Sequence, residues 1–473
     1  MSQYAIAKNP SQEDQQMSEQ VAQQVQRFVQ PLLEVLDAYV DCRLVERFWR
    51  TMIAIIVART SLVLSVLGEY LTDPQHGPAG TKQLSRLLHC AKWCSGLIER
   101  FLWQQAEQRL RELEAAGEEP LCVWDGSVLE KPESEKLEGL APVRSSKAKR
   151  LQRSRPGVFN KPGRPIVVRG WEWTAVLLCG LKGAVQVVNM RWWSRKGEQA
   201  TTARAQEGQL LRECARRWGR RVLHLFDRGY AGAPWLGDLA RQGVRFVMRW
   251  PKRYQLLDSK GVERKAWQIA LGKRAWGAPR WIWDGQLRKL RQTSVVALPV
   301  RHAGYGGPLW LVVARRGGEP WYLLTNEPIE SEEAAWQVVI AYARRWQVET
   351  SFRYGKSELH MESPRLQQWE PRRKLLLLVT LVYAFLLSLL AHEYDLLRQG
   401  LLDRWSHRTG RRARQSRAPL YRLRWALSRL WQRYPPSCMS RSSPPVRPTW
   451  SDRLAAWLIW FLVFLNLCPK SSG

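Results

Sequence analysis

The residues best equipped for chemistry lie in one short stretch, YARRWQVETSFRYGK, from Tyr342 to Lys356. Tyr342, Arg345, Glu349 and Lys356 recur at helical spacing, so one helix would gather them on one face. A phenol, a guanidinium, a carboxylate and an ammonium together suit phosphates and a divalent cation better than they suit a core. Arg and Lys bind phosphate oxygens, and a hard cation takes carboxylate oxygens. One carboxylate is too few for that cation, and two more stand upstream. Asp125 ends the apolar run LCVW, with Gly126 opening a turn, and Asp227 ends VLHLF, with Gly229 releasing the chain. A buried strand that finishes in Asp delivers a carboxylate to the sheet edge. Any one such Asp is more often a helix cap or turn former; their joint occurrence with the phosphate-binding helix is what points to a site. Asp125, Asp227 and Glu349 would be enough protein ligands for two magnesium ions, or manganese in their place, in an in-line phosphodiester displacement.

The elements that must position these residues follow an α/β rhythm. Residues 1–115 read as helices, with apolar residues at three and four spacing over Val21–Val40, Phe48–Leu71 and Lys82–Glu114, and with TDPQHGPAGTKQ as a loop between them. That region is either a DNA-end-binding domain or a helical packing module. Over 116–250 come strands at LCVWD, at VVRGWEWTAVLLCGL and AVQVVNMRWW joined at Lys182-Gly183, then a helix over Gln199–Trp218, the strand before Asp227, the helix Ala233–Gln242 and the strand VRFVMRW. A basic loop, RSSKAKRLQRSRPGVFNKPGRP, is placed to hold phosphates, though a solvated loop has the same composition. Residues 251–330 read as a β-rich insertion, and 331–398 return to helices, with Ser331 as an N-cap before acidic first-turn residues. Residues 399–473 form a basic helical C-terminal region ending in an apolar run.

Composition narrows the partners. The 473 residues carry 74 Lys and Arg against 42 Asp and Glu, a net charge of +32. Such a surplus repels itself unless a polyanion compensates, which puts nucleic acid first and an anionic membrane surface second. The eight cysteines contain no CxxC pair and read as reduced thiols in a cytosolic protein. His89, Cys90 and Cys94 cluster but lack the second half a zinc site needs. The N-terminus is polar, with no signal peptide, and the apolar runs Leu375–Ala391 and Leu454–Cys468 fall short of the roughly 18 to 20 residues of a span. They read as buried helices; a basic membrane-associated protein is the alternative.

The spacing Tyr342-x2-Arg345-x3-Glu349-x6-Lys356 resembles the YREK signature of DDE transposases of the insertion-sequence-four type. VWDGS, GWEWTAVLLCG followed by MRWWSR, FDRGYAG, VRFVMRWPK and WYLLTNEPIES are similar to the same family, from about residue 120 to 360. The resemblance implies an RNase-H-like catalytic core with a β-rich insertion, preceded by a helical N-terminal domain and followed by a basic helical region. It implies that Asp125, Asp227 and Glu349 are the metal-binding DDE triad and that Tyr342, Arg345 and Lys356 contact the phosphates of the transposon end. Trp321 would stack on a flipped base, and Arg228 would reach DNA or make a structural ion pair. The implied protein is a bacterial, cytoplasmic, nucleoid-associated transposase. It would bind terminal inverted repeats as at least a dimer, cleave with magnesium and join the freed 3′-hydroxyl to target DNA, with no membrane partner. A domesticated or inactive transposase that only binds DNA is the rival reading.

Overall fold

The structure is a computed structural model that describes residues 12–72, 74–145, 152–155, 158–160, 165–284, 289–406 and 419–439. Residues 146–151, 156–157 and 161–164 of the basic loop, much of the Arg-rich C-terminal region and the apolar run 454–468 lie outside the described residues. The chain divides into two compact units, one made of Met1–Phe101 with Leu359–Gly473 and the other of Leu102–Glu358.

The first unit is helical. Helices α1 (Gln12–Asp37), α2 (Cys42–Val57), α3 (Leu64–Leu71) and α4 (Gly77–His89) precede α5 (Gly96–Ala115), which crosses the unit boundary. In α1 the residues Val21, Val25, Val29, Leu32 and Leu36 are buried, the stripe that three and four spacing produces. The segment expected as a loop, TDPQHGPAGTKQ, is mostly helix. Pro78 sits in the first turn of α4, where a missing N–H costs nothing. Gly68 and Gly80 let α3 and α4 touch backbone to backbone, since a Cβ on Gly80 would overlap the Gly68 carbonyl oxygen. Pro and Gly that read as loop punctuation are here a helix start and a close crossing.

The apolar run near residue 380 forms a helix, Trp369–Ser388, whose residues from Lys374 to Leu387 are all buried in this unit. The sequence pattern groups 331–398 with the catalytic core; in the structure the unit boundary falls at Glu358 and this helix packs with the N-terminal ones. An all-round apolar helix records burial without naming the neighbour. No single helix among the described residues is long and apolar enough to cross a membrane.

The second unit is built on a ten-stranded mixed sheet. Its strands are β1 (Leu121–Glu130), β2 (Ala141–Arg144), β3 (Val167–Cys179), β4 (Gln186–Trp193), β5 (Leu223–Phe226), β6 (Arg245–Arg249), β7 (Trp276–Asp284), β8 (Lys289–Val300), β9 (Leu309–Arg315) and β10 (Trp321–Thr325). The order runs β7-β8-β9-β10-β6-β5-β1-β3-β2, with β4 also on β3. Strands β1, β5 and β6 are mutually parallel, and every other pairing is antiparallel. The segment read as an insertion thus continues the same sheet, joined through β10 and β6.

Helices α6 (Ala203–Trp218) and α7 (Ala233–Gln242) make the crossovers that parallel strands require. With α5 they bury a core of Trp103, Trp124, Leu211, Trp218, Phe226, Trp235 and Phe246. A later pair of helices, Glu332–Ala343 and Trp346–Arg353, completes the unit.

Candidate active site

Asp125 does not end its strand. β1 runs on to Glu130, and Asp125 pairs with Ala175 and Gly126 with Thr174 in the antiparallel ladder with β3. What ends near Asp125 is the neighbour on the other side. The parallel register of β1 and β5 is Leu121 to Leu223, Cys122 to His224 and Val123 to Leu225. Two steps further, Asp125 comes abreast of Asp227, the first residue past β5. Side chains alternate along both strands in step, so the two carboxylates share a face. Asp125 accepts from the Gly126 N–H at 2.8 Å, and Asp227 accepts from the Gly229 N–H at 2.7 Å, which starts the short turn Arg228–Tyr230.

The third element differs from the single helix expected over Tyr342 to Lys356. The first helix is capped by Ser331, whose hydroxyl accepts from the Ala334 N–H at 3.2 Å, and it ends at Ala343. Tight i to i−3 bonds follow, from Arg345 N–H to the Tyr342 carbonyl and from Val348 N–H to the Arg345 carbonyl, before the helix resumes at Trp346. Arg344 pins this joint to the β3–β4 turn by donating to the Gly180 carbonyl at 3.1 Å and to the Gly183 carbonyl at 2.7 Å. Phe352 anchors the second helix against Trp173 of β3, ring centroids 4.7 Å apart. A wider π-type turn, Tyr354–Glu358, then carries Lys356.

The result is a bridge. The Arg345 guanidinium donates to Asp125 Oδ2 at 3.0 Å and, through its other terminal nitrogen, to Glu349 Oε1. Lys356 Nζ donates to Ser127 Oγ at 2.8 Å, one β1 pleat beyond Asp125. Tyr342 is not on an open face: its ring is buried, edge-on to Trp321 at 5.2 Å, and burial pushes its phenol up to about 12. Arg228 is exposed at the start of its turn and makes no ion pair among the described residues. Trp321 opens β10 and carries the Arg316 guanidinium 3.7 Å over its ring.

The electrostatics are unbalanced. Burial first, then the charges of Asp227 and Glu349, raise the Asp125 carboxyl to about 7 in spite of Arg345. For Arg345, burial opposes its charge, but Tyr342, Asp125, Glu349 and Asp227 outweigh it and hold its pKa above the ordinary guanidinium value. Sequence reading missed a fourth acid, Glu207 on α6. Its carboxyl is raised to about 7 by burial, against the pull of Tyr230 and Arg204, with Asp227 and Asp125 adding to the rise. Nothing local marks it, because Glu207 is one polar residue of an amphipathic helix and meets the aspartates only through the crossover.

Three hard carboxylate donors in mutual repulsion are the chemistry a divalent cation favours. Among the described residues no three His, Cys, Asp or Glu stand gathered as a metal-holding cluster, and the positive charge there is supplied by Arg345. The donor types fit a hard divalent cation such as magnesium or manganese, and Arg345 bridges two of them. His89, Cys90 and Cys94 do not form a metal cluster either.

Residues 195–385 match the family model described as the transposase DDE domain. Over those residues the chain is similar to a transposase DDE domain. The match contains Asp227, Glu349 and the whole stretch from Tyr342 to Lys356, and it begins after Asp125. No curated protein matches the sequence. Among solved structures, a cryo-electron microscopy structure of a piggyBac transposase synaptic complex with hairpin DNA is similar at 14% identity and a TM-score of 0.31. That alignment covers 74% of this chain, which spans 58% of the other chain's length.

Proposed function

We propose that the protein is an insertion-sequence transposase of the insertion-sequence-four type, which binds terminal inverted repeats and cleaves and joins DNA with divalent metal. The observation that carries the reading is the Arg345 bridge between Asp125 and Glu349, next to Asp227, in a unit that contains most of the residues similar to the transposase DDE domain. An RNase-H-like core is supported by the run β4-β3-β1-β5-β6, in which the outer hairpin strands are antiparallel to β1 while β5 and β6 run parallel to it.

Asp125, Asp227 and Glu349 would hold the cations, which supply Lewis-acid activation of a water or 3′-hydroxyl and stabilise the leaving oxygen. Arg345 and Lys356 would orient the scissile phosphate, and Tyr342 would act from behind by fixing Arg345 and Trp321. Trp321 and Arg228 are the further DNA contacts of this reading. The helical unit would serve end binding, and two protomers would hold two ends. The net charge of +32 supports a DNA partner, and the reading places the protein on the nucleoid of a bacterium.

The test is cleavage of DNA carrying the element's own ends, with magnesium, by Asp125→Asn, Asp227→Asn and Glu349→Gln. Each variant is expected to lose on the order of 10³ in rate while binding ends normally. A folded variant that cleaves at the wild-type rate removes its residue from the triad.

A further inference from the structure

Helix α6 carries more positive charge than its own acids can answer. Over α6 and the turn that follows it stand Arg204, Arg212, Arg216, Arg217, Arg220 and Arg221, with only Glu207 and Glu213 between them. Both acids are engaged elsewhere. The charges of Asp227 and Asp125 act on Glu207, while Glu213 accepts from Arg191 of β4 at 3.0 Å and pairs with Arg217 at 3.9 Å. Arg221 is held by Glu114 at 2.6 Å. Arg204, Arg212, Arg216 and Arg220 are left exposed, and none of the four makes an ion pair among the described residues.

Exposed arginines elsewhere in this unit are paired, as Arg111 is with Glu107, Arg241 with Asp238 and Arg264 with Asp258. On α6, Arg212 and Arg216 follow one turn apart, and Ala205 and Gln209 complete their exposed face. Like charges at that spacing repel, and an anion laid along the face relieves the repulsion. Arg212 turns back along the helix, its Nη1 3.7 Å from the place a Cβ on Gly208 would take, so its charge lies over bare backbone on the side of Arg204. From Arg204 to Arg216 the helix axis runs about 18 Å, at about 1.5 Å per residue. Duplex DNA presents about ten phosphate charges over that length. What the face lacks narrows the anion further. It offers no exposed aromatic on which an unpaired base could stack, since Trp235 beneath Arg204 is fully buried, and no large apolar side chain to enter a membrane.

We infer that the outer face of α6, through Arg204, Arg212, Arg216 and Arg220, is a backbone-binding track for duplex DNA, and that the duplex it takes is the target of joining. The inference rests on the reading of the protein as a transposase and assigns a surface to one of its two DNA substrates. Arginines that meet only phosphates carry no sequence information. A target is taken without a fixed sequence, whereas an element's end is recognised by one. The track also starts in the right place, because the first turns of α6 bring Arg204 and Glu207 to Asp125 and Asp227. A duplex along α6 therefore passes the carboxylates.

The test is metal-free binding of the full chain to a short duplex of random sequence across a salt series, together with cleavage of element ends and joining of precut ends to a plasmid in magnesium. Arg212→Gln with Arg216→Gln is expected to lower the salt slope for the random duplex by about 1.8, two phosphates at about 0.9 each, and to reduce joining about tenfold while end cleavage stays at the wild-type rate. Arg212→Lys with Arg216→Lys, which keeps both charges, restores the slope. Arg111→Gln with Arg241→Gln removes two paired arginines and the same net charge, and is expected to leave slope and joining unchanged. Equal losses in the two Gln pairs overturn the track, because the overall charge of +32 then accounts for binding. An unchanged slope in the α6 pair overturns it as well. Loss of end cleavage together with joining overturns the assignment to the target. A wild type that neither cleaves nor joins ends, while the α6 pair still loses slope, refutes the transposase reading and leaves the phosphate track standing.

Discussion

Among the carboxylate–arginine–carboxylate bridges of the sheet unit, those at Arg245 and Arg345 differ in what they leave unpaid. At the amino ends of the parallel strands, Arg245 of β6 bonds Glu327 at 2.9 and 2.6 Å and Glu119 at 2.8 and 3.3 Å, so both acids are held by two nitrogens. At the carboxyl side, Arg345 touches Asp125 and Glu349 through one nitrogen each, with Asp227 and Glu207 close by. The Arg245 bridge is saturated and ties strand ends together. The Arg345 bridge keeps a surplus of negative charge at the strand ends where parallel sheets bind ligands. Similar residue types serve cohesion in one place and leave acidic charge uncompensated in the other.

The sharpest way to break this comparison is to remove each arginine. Arg245→Met is expected to cost about 3 kcal/mol of unfolding free energy, because Glu119 and Glu327 lose the cation they share. Arg345→Met is expected to cost less, about 1 kcal/mol, because Asp125, whose carboxyl is already raised to about 7, can take up a proton in place of the lost cation. Urea denaturation of both variants checks this; equal losses would mean that the Arg345 bridge is structural too.

A smaller effect concerns pH. The Asp125 pKa is raised from 3.8 to about 7 in the fold, so the native state binds the proton more tightly than the unfolded chain does. That interaction favours folding below about pH 4 and is lost progressively as pH rises to about 7. Asp125→Asn removes the dependence, so its stability relative to wild type should climb from pH 4 to pH 8 by up to about 4 kcal/mol in metal-free buffer. A flat difference across that range would show that Asp125 is ionised throughout. The smallest expected change is in Glu207→Gln, which removes one acid from the surplus. Cleavage should persist within about tenfold of wild type, with the magnesium requirement shifted to higher concentration. An unchanged magnesium titration would place Glu207 outside the site's charge balance.

Trp321 and Tyr342 sharpen the lesson about legibility. Their residue types suggested two DNA contacts, yet the structure stacks one on the other's edge and covers the first with Arg316. Sequence spacing gives the direction of a side chain along an ideal helix, and the tight joint at Arg344–Arg345 breaks that ideal. The same joint turns Arg345 toward β1, which no helical wheel would show.

The sequence by itself determined much of the element order of the sheet unit. The alternation in β3 and β4, the helix Ala233–Gln242, the β-rich run after it and the Ser331 cap all follow from local pattern, because periodicity and capping are short-range properties. It also singled out Asp125, Asp227 and Glu349. Only the tertiary structure decided that Asp125 lies mid-strand, that register brings it abreast of Asp227, that Glu207 joins them from a crossover helix, and that Trp369–Ser388 packs with the N-terminal helices. Those facts depend on which strands pair and which faces meet. Such choices are made by contacts between residues a hundred positions apart, and no window of sequence contains both partners.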